Sequence, residues 1–248
     1  MQTILDNFSK HVDDVNRLIT FDEHVMAYAI SAVETLHLQL KKNYSHKEQI
    51  NGARELQMLR NIRENESLKP RYSLILNQAI VLLVSYFGSA VEDILNKALT
   101  KALHSKSSVR LIKEEMKLTI GELLDLTENT NDSSVASLLI DKKDLSFQDM
   151  QAIHRAFEDY IGVKIARDKI VNNIILAQAC RHVIVHAGGE ITPRLIRQIS
   201  RANPRDIKNN IEAGTTVQFT HDEVQEIARS MKMYLNTLVK NTQQALNE

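Results

Sequence analysis

The chain is poor in the residues that break or cross-link a polypeptide. Its 248 residues include one cysteine, three prolines, seven glycines and no tryptophan. The single cysteine, Cys180, cannot form an intrachain disulfide, which fits a reducing compartment, and it excludes a cysteine-rich zinc site. Few helix-breaking and aromatic residues in a chain that is 43% hydrophobic favour long helices over a turn-rich sheet. We therefore predict an all-α protein.

The chain also lacks an excess of either charge. Its 31 basic and 31 acidic side chains cancel, so any binding site for a polyanion has to be local. The N-terminus has neither the basic flank nor the continuous apolar run of a signal peptide. The longest apolar run, residues 79–91, is too short to span a bilayer. We expect a cytoplasmic protein that does not bind a membrane.

Capping signals divide the N-terminal part of the chain into helices. The sequences TFDE, which begins at Thr20, and SHKE, which begins at Ser45, have the spacing of capping boxes and predict helix breaks at both positions. Pro70 then marks a boundary. We predict an N-terminal helical extension over residues 1–68.

The remaining residues, 71–248, are predicted to form an up-and-down helical bundle. The segment 71–104 is apolar on most faces through Val84 and amphipathic afterwards, as expected of a central helix. Residues 105–134 contain clusters of small polar residues around one amphipathic piece, and we predict a polar insertion there. One further helix is predicted to begin with a cap at Ser146, and a strongly apolar one lies within residues 164–187.

Turn signals and caps organise the C-terminal part of the bundle. The pair Gly188-Gly189 is predicted to end the apolar helix. Two short helices separated by Pro204 and a brief extended segment at 215–219 are expected next. A capping box that begins at Thr220 predicts the start of the last helix.

The stretch CRHVIVHAGGE, residues 180–190, places ionisable side chains inside an apolar run. At about 100° per residue, His182 and His186 share a helix face, whereas Arg181 is turned about 140° from His186. Burying such groups without partners would cost on the order of several kcal/mol. Three uses are open: ordinary structural pairing, a metal site, and a composite site completed by a second copy of the helix.

The metal and structural alternatives can be weighed from the neighbouring residues. His182-x3-His186 has the spacing of helical zinc sites, but Val183 occupies the position of the metalloprotease glutamate and a third ligand is lacking. We predict neither a metal nor another cofactor. In the structural alternative, a histidine interacts with the carbonyl end of the helix and Arg181 pairs with a carboxylate. Cys180, in an apolar helix, is expected to pack and not to react.

The same stretch resembles the Arg-x4-6-His motif of the HEPN (higher eukaryotes and prokaryotes nucleotide-binding) superfamily, which lies near the end of a bundle helix with a polar residue after the arginine. The segments AIVLLVSYFGSAVEDIL and GTTVQFTHDEVQEIARSMKMYLNTL are similar to helices of ribonuclease and toxin-like members. The resemblance covers residues 71–104 and 146–246. Relatives often carry an acidic residue where Gly88 stands, so Glu92 or Asp93, one turn later, is the expected acidic support.

This resemblance implies a metal-independent endoribonuclease, acting as a toxin or antiphage-defence effector. Two copies of the motif would form one active site across a homodimer, with an antitoxin or another regulatory protein as a further partner. His186 would transfer protons at the ribose 2′-hydroxyl, Arg181 would bind the scissile phosphate, and His182 would orient His186 or contact the phosphate. The alternative is a noncatalytic HEPN-type module that binds a nucleotide or a protein.

Basic residues recur at intervals of three and four directly after the motif. Such a stripe is typical of a surface that binds the phosphates of RNA, although a solvated helix face has the same pattern. It contains no aromatic residue, so base stacking is not expected. The predicted RNA-binding residues are Arg194, Arg197, Arg201 and Arg205.

Overall fold

A computed structural model describes residues 1–43, 52–64, 69–105, 109–128 and 132–246. Within these ranges the chain forms ten helices and no strand longer than an isolated bridge, which confirms the predicted all-α bundle. The helices are α1 Gln2–Asn43, α2 Gly52–Glu64, α3 Lys69–Ser105, α4 Val109–Ile112, α5 Ile120–Glu128, α6 Asp132–Lys142, α7 Met150–Ile161, α8 Lys169–His186, α9 Pro193–Ile199 and α10 His221–Ala245.

Helix α3 is the central helix of the bundle, as the apolar segment 71–104 predicts. It packs against α1, α6, α7, α8 and α10, and the side chains of Leu83, Phe87 and Ile94 have no exposed surface. The apolar run that is too short for a bilayer is thus part of a longer helix. By length and composition alone, Ser73–Ser105 could cross a membrane, but half of its apolar window is buried inside the bundle.

Helix α1 continues through the break that the sequence predicts at Thr20. The Thr20 hydroxyl donates a hydrogen bond to the carbonyl oxygen of Asn16 at 2.9 Å, a bond made within the helix and not a cap. The predicted break was wrong, and buried side chains lie on both sides of it: a continuous helix buries Ile19 before Thr20 and Ile30 after it. The break predicted at Ser45 lies outside the described residues.

The two halves of α1 have different surroundings. Ile4 and Phe8 in the N-terminal half are buried, and the ring of Phe8 lies edge-on to that of Phe87 with centroids 6.5 Å apart. The C-terminal half packs against α2, where Nη2 of Arg60 forms an ion pair with Oε1 of Glu34 at 2.6 Å. Large apolar side chains are exposed from the middle of α1 towards its C-terminal end: Leu18, Phe21, Val25, Tyr28, Leu36 and Leu38. The division into an extension and a bundle stays a prediction.

Three other helix boundaries differ from the sequence-based expectation. Residues 109–128 form two short helices with non-helical residues between them, and not one amphipathic helix. Helix α7 has Asp149 as its N-cap, whereas the sequence predicted a cap at Ser146. The short helix expected after Pro204 does not form, because the guanidinium of Arg205 binds carbonyl oxygens that a helix would use.

The capping box at the start of α10 is confirmed. The Thr220 hydroxyl accepts a hydrogen bond from the backbone amide of Glu223, and the Glu223 carboxylate accepts one from the amide of Thr220. The helix then buries Ile227, Met231 and Leu235 against the rest of the core. Its start is therefore fixed by side chains that satisfy helix-terminal amides.

His154, on α7, is a partly buried histidine. Its ring stacks on that of Tyr234 with centroids 6.3 Å apart, and its Nε2 atom is buried without a hydrogen-bond partner in the described part of the chain. Burial, followed by the positive charge of Arg167, lowers the pKa of His154 below its ordinary value of 6.5, against the opposing charges of Asp149 and Glu158. The folded chain therefore favours neutral His154.

The lowered pKa makes the stability of the fold depend on pH. The unfolded chain binds this proton more readily, so the contribution of His154 is present above about pH 6.5 and is lost as the pH falls through the folded pKa. We expect His154→Phe, which keeps a stacked ring, to reduce the fall in melting temperature between about pH 7.5 and pH 5.5. His24→Phe, at an exposed position on α1, is the control and should melt with the pH dependence of the wild type. The same fall in His154→Phe and in the wild type would contradict the linkage.

Candidate functional site

Helix α8 carries the motif and ends at the glycine pair, as predicted. It begins after Asp168, whose carboxylate accepts a hydrogen bond from the amide of Val171 at 2.9 Å. Gly188 and Gly189 have φ angles of 59° and 83°, in the left-handed region that side chains disfavour. A Cβ atom on Gly189 would also lie 3.3 Å from the Thr216 side chain. Both the conformation and the close approach therefore favour glycine at position 189.

The turn after α8 joins the end of the motif to the segment that precedes α10. Glu190 pairs with Thr216 in an isolated antiparallel bridge, and the amide of Val217 donates to the carbonyl oxygen of Gly189 at 2.8 Å. This bridge confirms a short extended segment within residues 215–219. It fixes the C-terminal end of α8, where the histidines of the motif lie.

A cleft of about 490 Å³ lies beside α8, bounded by α9 and by the start of α7. Five arginines from three segments line it, and Asp149 is its one carboxylate among the described residues. None of these arginines forms an ion pair with a residue that the structure describes. The polar side chains that line the cleft are Arg167, Arg181, Arg194, Arg197, Arg201, His182, Asp149, Gln148, Gln151, Gln178 and Gln198.

The cleft is strongly positive although the chain as a whole is neutral. Asp149 is already engaged at the N-terminus of α7, where its carboxylate accepts a hydrogen bond from the amide of Gln151 at 3.0 Å. A guanidinium is permanently charged and donates two parallel hydrogen bonds to a phosphate or carboxylate. The arrangement is therefore suited to an anionic ligand that carries several oxygens, and phosphate groups have this chemistry.

Arg181 and His182 line the cleft, and His186 lies one helical turn beyond them. Arg181 is half-buried, and its Nη1 donates to Oε1 of Gln148 at 3.3 Å. His182 and His186 are exposed, with ring centroids 4.8 Å apart, which confirms that they share a face of α8. Among the described residues, no hydrogen bond joins Arg181 to either histidine. Arg181 and His182 thus belong to the cleft, whereas His186 stands beside His182, outside the residues that line it, and is open to solvent.

The electrostatic surroundings of His182 favour its neutral form. Partial loss of hydration, followed by the nearby charges of His186, Arg194 and Arg181, lowers the pKa of His182 below its ordinary value of 6.5. At neutral pH its ring therefore has one donor and one acceptor nitrogen. A neutral imidazole in this position can accept a hydrogen bond from, or donate one to, a group bound next to His186.

Arg205 does not line the cleft, in contrast to its predicted role in RNA binding. Only 9% of it is exposed, and its guanidinium donates six hydrogen bonds of 2.8–3.2 Å. The prediction assumed that the helix continues through Arg205, but α9 ends at Ile199. The spacing of four residues therefore does not place Arg205 on the same face as Arg201. The acceptors are Asn203 Oδ1 and the carbonyl oxygens of Ile199, Ala202, Ile207 and Lys208.

Glu92 and Asp93 do not line the cleft either, so the predicted acidic support is not placed there. Both are exposed on α3. Burial, followed by the negative charges of Asp93 and Asp141, raises the pKa of Glu92. The charged groups that influence Glu92 are thus carboxylates and not the arginines of the cleft. Helix α3 reaches the cleft through Val84, about two turns earlier. The carboxylate that does line the cleft is Asp149.

Several residues of the cleft are not among those that the sequence predicts. Gln178 could have been found, because it lies four residues before His182 on the same face of α8. Gln148 and Asp149 had no comparable signal, since they come from another segment. They reach the cleft where that segment passes close to Gly88 of α3: a Cβ atom on Gly88 would lie 3.3 Å from the carbonyl oxygen of the residue before Gln148.

The loops that carry two of the arginines are tied to α8. Arg167 Nε donates to the side-chain oxygen of Asn172 at 3.0 Å, and its Nη2 donates to the carbonyl oxygen of Arg201 at 2.7 Å. The side-chain amide of Asn172 donates in turn to the carbonyl oxygen of Pro204 at 2.9 Å. A buried asparagine in an apolar helix therefore holds both loops at the rim of the cleft.

The described residues do not bring three His, Cys, Asp or Glu side chains together as possible metal ligands. Cys180 is fully buried, and burial raises the pKa of its thiol to about 12. Since the thiolate is the reactive form, this thiol is a packing group and not a nucleophile.

No family model matches the chain, and none of the curated proteins or solved structures compared with it is similar to it. A functional proposal for this chain therefore depends on the residues and the geometry of the cleft.

Proposed function

We propose that the chain is a metal-independent endoribonuclease of the HEPN type, acting as a toxin or antiphage-defence effector. The observation that supports this proposal is the position of the motif. Arg181 and His182 line a cleft with four further arginines, and His186 stands beside His182 and is exposed to solvent. In the cleavage of a phosphodiester by its own 2′-hydroxyl, a histidine can transfer the protons and an arginine can stabilise the charge that develops on the phosphate.

The proposed reaction needs proton transfer and charge stabilisation. His186 removes the proton of a ribose 2′-hydroxyl, and the resulting oxygen attacks the adjacent phosphorus. Arg181 stabilises the negative charge that develops on the phosphate oxygens. The bond from phosphorus to the 5′-oxygen breaks, and that oxygen takes a proton from the histidine of a second copy. The products are a 2′,3′-cyclic phosphate and a 5′-hydroxyl.

The exposure of the motif supports an active site shared by two copies of the chain. His186 faces solvent, and Arg181 is only half-buried. Val185, between them in sequence, is an apolar side chain with 46% of its surface exposed. A homodimer that pairs these helix ends would cover Val185 and bring two His186 side chains to one RNA strand.

A noncatalytic module that binds a nucleotide is the second candidate. It is favoured by one observation: His186 is not among the residues that line the cleft of a single chain. A single copy would then bind a phosphate through its arginines without any use of His186.

The experiment that tests the proposal is cleavage of a defined single-stranded RNA by the purified full chain in excess EDTA, with analysis of the product ends. We expect cleavage with cyclic-phosphate and 5′-hydroxyl ends, because the reaction above uses only side chains. RNA that is bound but stays intact at every protein concentration would contradict the nuclease proposal and favour the binding module. Products with 3′-hydroxyl ends would contradict the attack by the 2′-hydroxyl.

A further inference from the structure

Gln178 is buried in the wall of the cleft, and the NH₂ group of its side-chain amide has no hydrogen-bond partner among the described residues. Only 7% of the residue is exposed. Its side-chain oxygen accepts a hydrogen bond from the backbone amide of Met150 at 3.1 Å. The backbone amide of Met150 is a donor, so the side-chain atom of Gln178 that faces it is the oxygen. The remaining side-chain atom, Nε2, is then the nitrogen of the NH₂ group. That Nε2 is buried and has no hydrogen-bond partner among the described residues.

An unpaired buried donor is unfavourable, so the wall of the cleft holds a position that a ligand oxygen would stabilise. The surroundings indicate the charge of this oxygen. Arg181 lies three residues after Gln178 on α8, and Arg194 and Arg197 approach from α9. The guanidinium groups of Arg194 and Arg197 have neither an ion pair nor a side-chain hydrogen bond with any residue that the structure describes. The expected ligand atom is therefore an anionic oxygen.

We propose that the cleft binds a phosphate monoester, with Gln178 and the cleft arginines donating to its terminal oxygens. A monoester carries a charge of about −1.5 to −2 at neutral pH and three acceptor oxygens, whereas a phosphodiester carries one charge. The cleft is lined by five guanidinium groups and one carboxylate, and this excess of positive charge favours the more highly charged monoester. Val84, Ile175 and Ala179 also line the cleft and give it an apolar part that could contact the non-phosphate portion of the monoester.

The ligand-free chain has to adjust slightly to bind in this way. The Nε2 atom of Gln178 has almost no exposed surface, so a phosphate oxygen reaches it when the side chains that line the cleft move. Arginine side chains have several rotatable bonds, and those of Arg194 and Arg197 are exposed. Binding is therefore expected to order these arginines.

The monoester has two possible sources: the phosphorylated end of an RNA strand and a free mononucleotide. The inference rests on the proposed function only for the first source, in which RNA is the substrate. The subsite would then select RNA with a terminal phosphate. In the second case a nucleotide occupies the cleft and competes with RNA.

Binding is measured by calorimetry with the full chain carrying His186→Ala, so that RNA is not consumed. The probes are adenosine 3′-monophosphate, adenosine 5′-monophosphate, and one short single-stranded RNA with either a phosphate or a hydroxyl at its end. Binding of the phosphorylated RNA about tenfold or more tighter than the hydroxyl form, or saturable binding of a mononucleotide, is the expected result. The first outcome assigns the site to RNA ends and the second to free nucleotides. Equal binding of both RNAs without binding of either mononucleotide would overturn the proposal.

Gln178→Glu tests the contact directly. A glutamate keeps the oxygen that accepts from Met150 and replaces the NH₂ donor with a second oxygen, which repels phosphate. We expect monoester binding to weaken about tenfold or more. Gln225→Glu, at an exposed position on α10, makes the same change of net charge away from the cleft and should bind within about twofold of the parent protein.

Arg197→Gln covers the case in which Gln178→Glu does not fold, because Arg197 is exposed. It should also weaken monoester binding, and unchanged binding in the folded variants would overturn the proposal. The two proposals fail separately. A chain that binds monoesters but leaves RNA intact contradicts only the nuclease. A nuclease in which Gln178→Glu binds phosphate normally contradicts only the subsite.

Discussion

Replacing His186 with alanine is expected to abolish RNA cleavage and leave the fold intact. General acid–base catalysis by one side chain contributes about 10²- to 10⁴-fold to a rate, so we expect the initial rate to fall about 100-fold or more. The side chain is exposed and has no hydrogen bond to a described residue, so the free energy of unfolding should change by less than about 0.5 kcal/mol. The measurement combines the cleavage rate of a fluorogenic RNA in EDTA with urea unfolding of the same protein.

The matched control is His24→Ala. His24 is an exposed histidine on α1, and its Nδ1 lies 2.7 Å from the carbonyl oxygen of Thr20, four residues earlier in the same helix. It is not among the residues that line the cleft, so cleavage should proceed at the wild-type rate. Equal cleavage by the wild type and by His186→Ala would show that His186 does not take part in the reaction.

Replacing Arg205 with alanine is expected to have the largest effect on stability of any arginine substitution near the cleft. The substitution removes six hydrogen bonds from a buried guanidinium and leaves carbonyl oxygens of the loop without their donor. Bonds to charged groups contribute about 1.5–3 kcal/mol each but are not additive, so we expect a loss of about 3 kcal/mol or more. For a chain of this size, that lowers the melting temperature by about 6–12 °C.

Arg201→Ala separates this structural role from RNA binding. Arg201 is exposed, lines the cleft, and takes part in a described hydrogen bond only through its backbone carbonyl. Its removal should change the free energy of unfolding by less than about 0.5 kcal/mol and weaken RNA binding at low salt. If Arg205→Ala unfolds like the wild type and binds RNA more weakly, the role that the sequence predicts for Arg205 is correct after all.

Features that depend on neighbouring residues in the chain could be predicted well. The glycine pair ends α8 because left-handed backbone favours glycine, and Thr220 starts α10 because its hydroxyl satisfies a free amide. Thr20 has the same pattern but lies inside a helix, since its hydroxyl can bond to the preceding turn and the residues before it are buried. A capping pattern is thus a local preference that burial can override.

The candidate site could be predicted only in part, for a related reason. Arg181, His182 and His186 lie on one helix, so their spacing indicates their relative positions. Gln148 and Asp149 come from a different segment, and only the packing of that segment on α3 brings them to the cleft. Arg205 was assigned by extending a period past the point at which the helix ends. Periodicity is informative only within a continuous helix.

The burial of Cys180 also makes the chain convenient for spectroscopic labelling. It is the one thiol in the sequence, and a buried thiol with a pKa of about 12 reacts slowly with maleimides and methanethiosulfonates. The wild type therefore serves as an unlabelled blank without further engineering. A Val185→Cys variant would carry one nitroxide beside His186, and a dipolar coupling between two such labels would measure the distance between the helix ends of a homodimer.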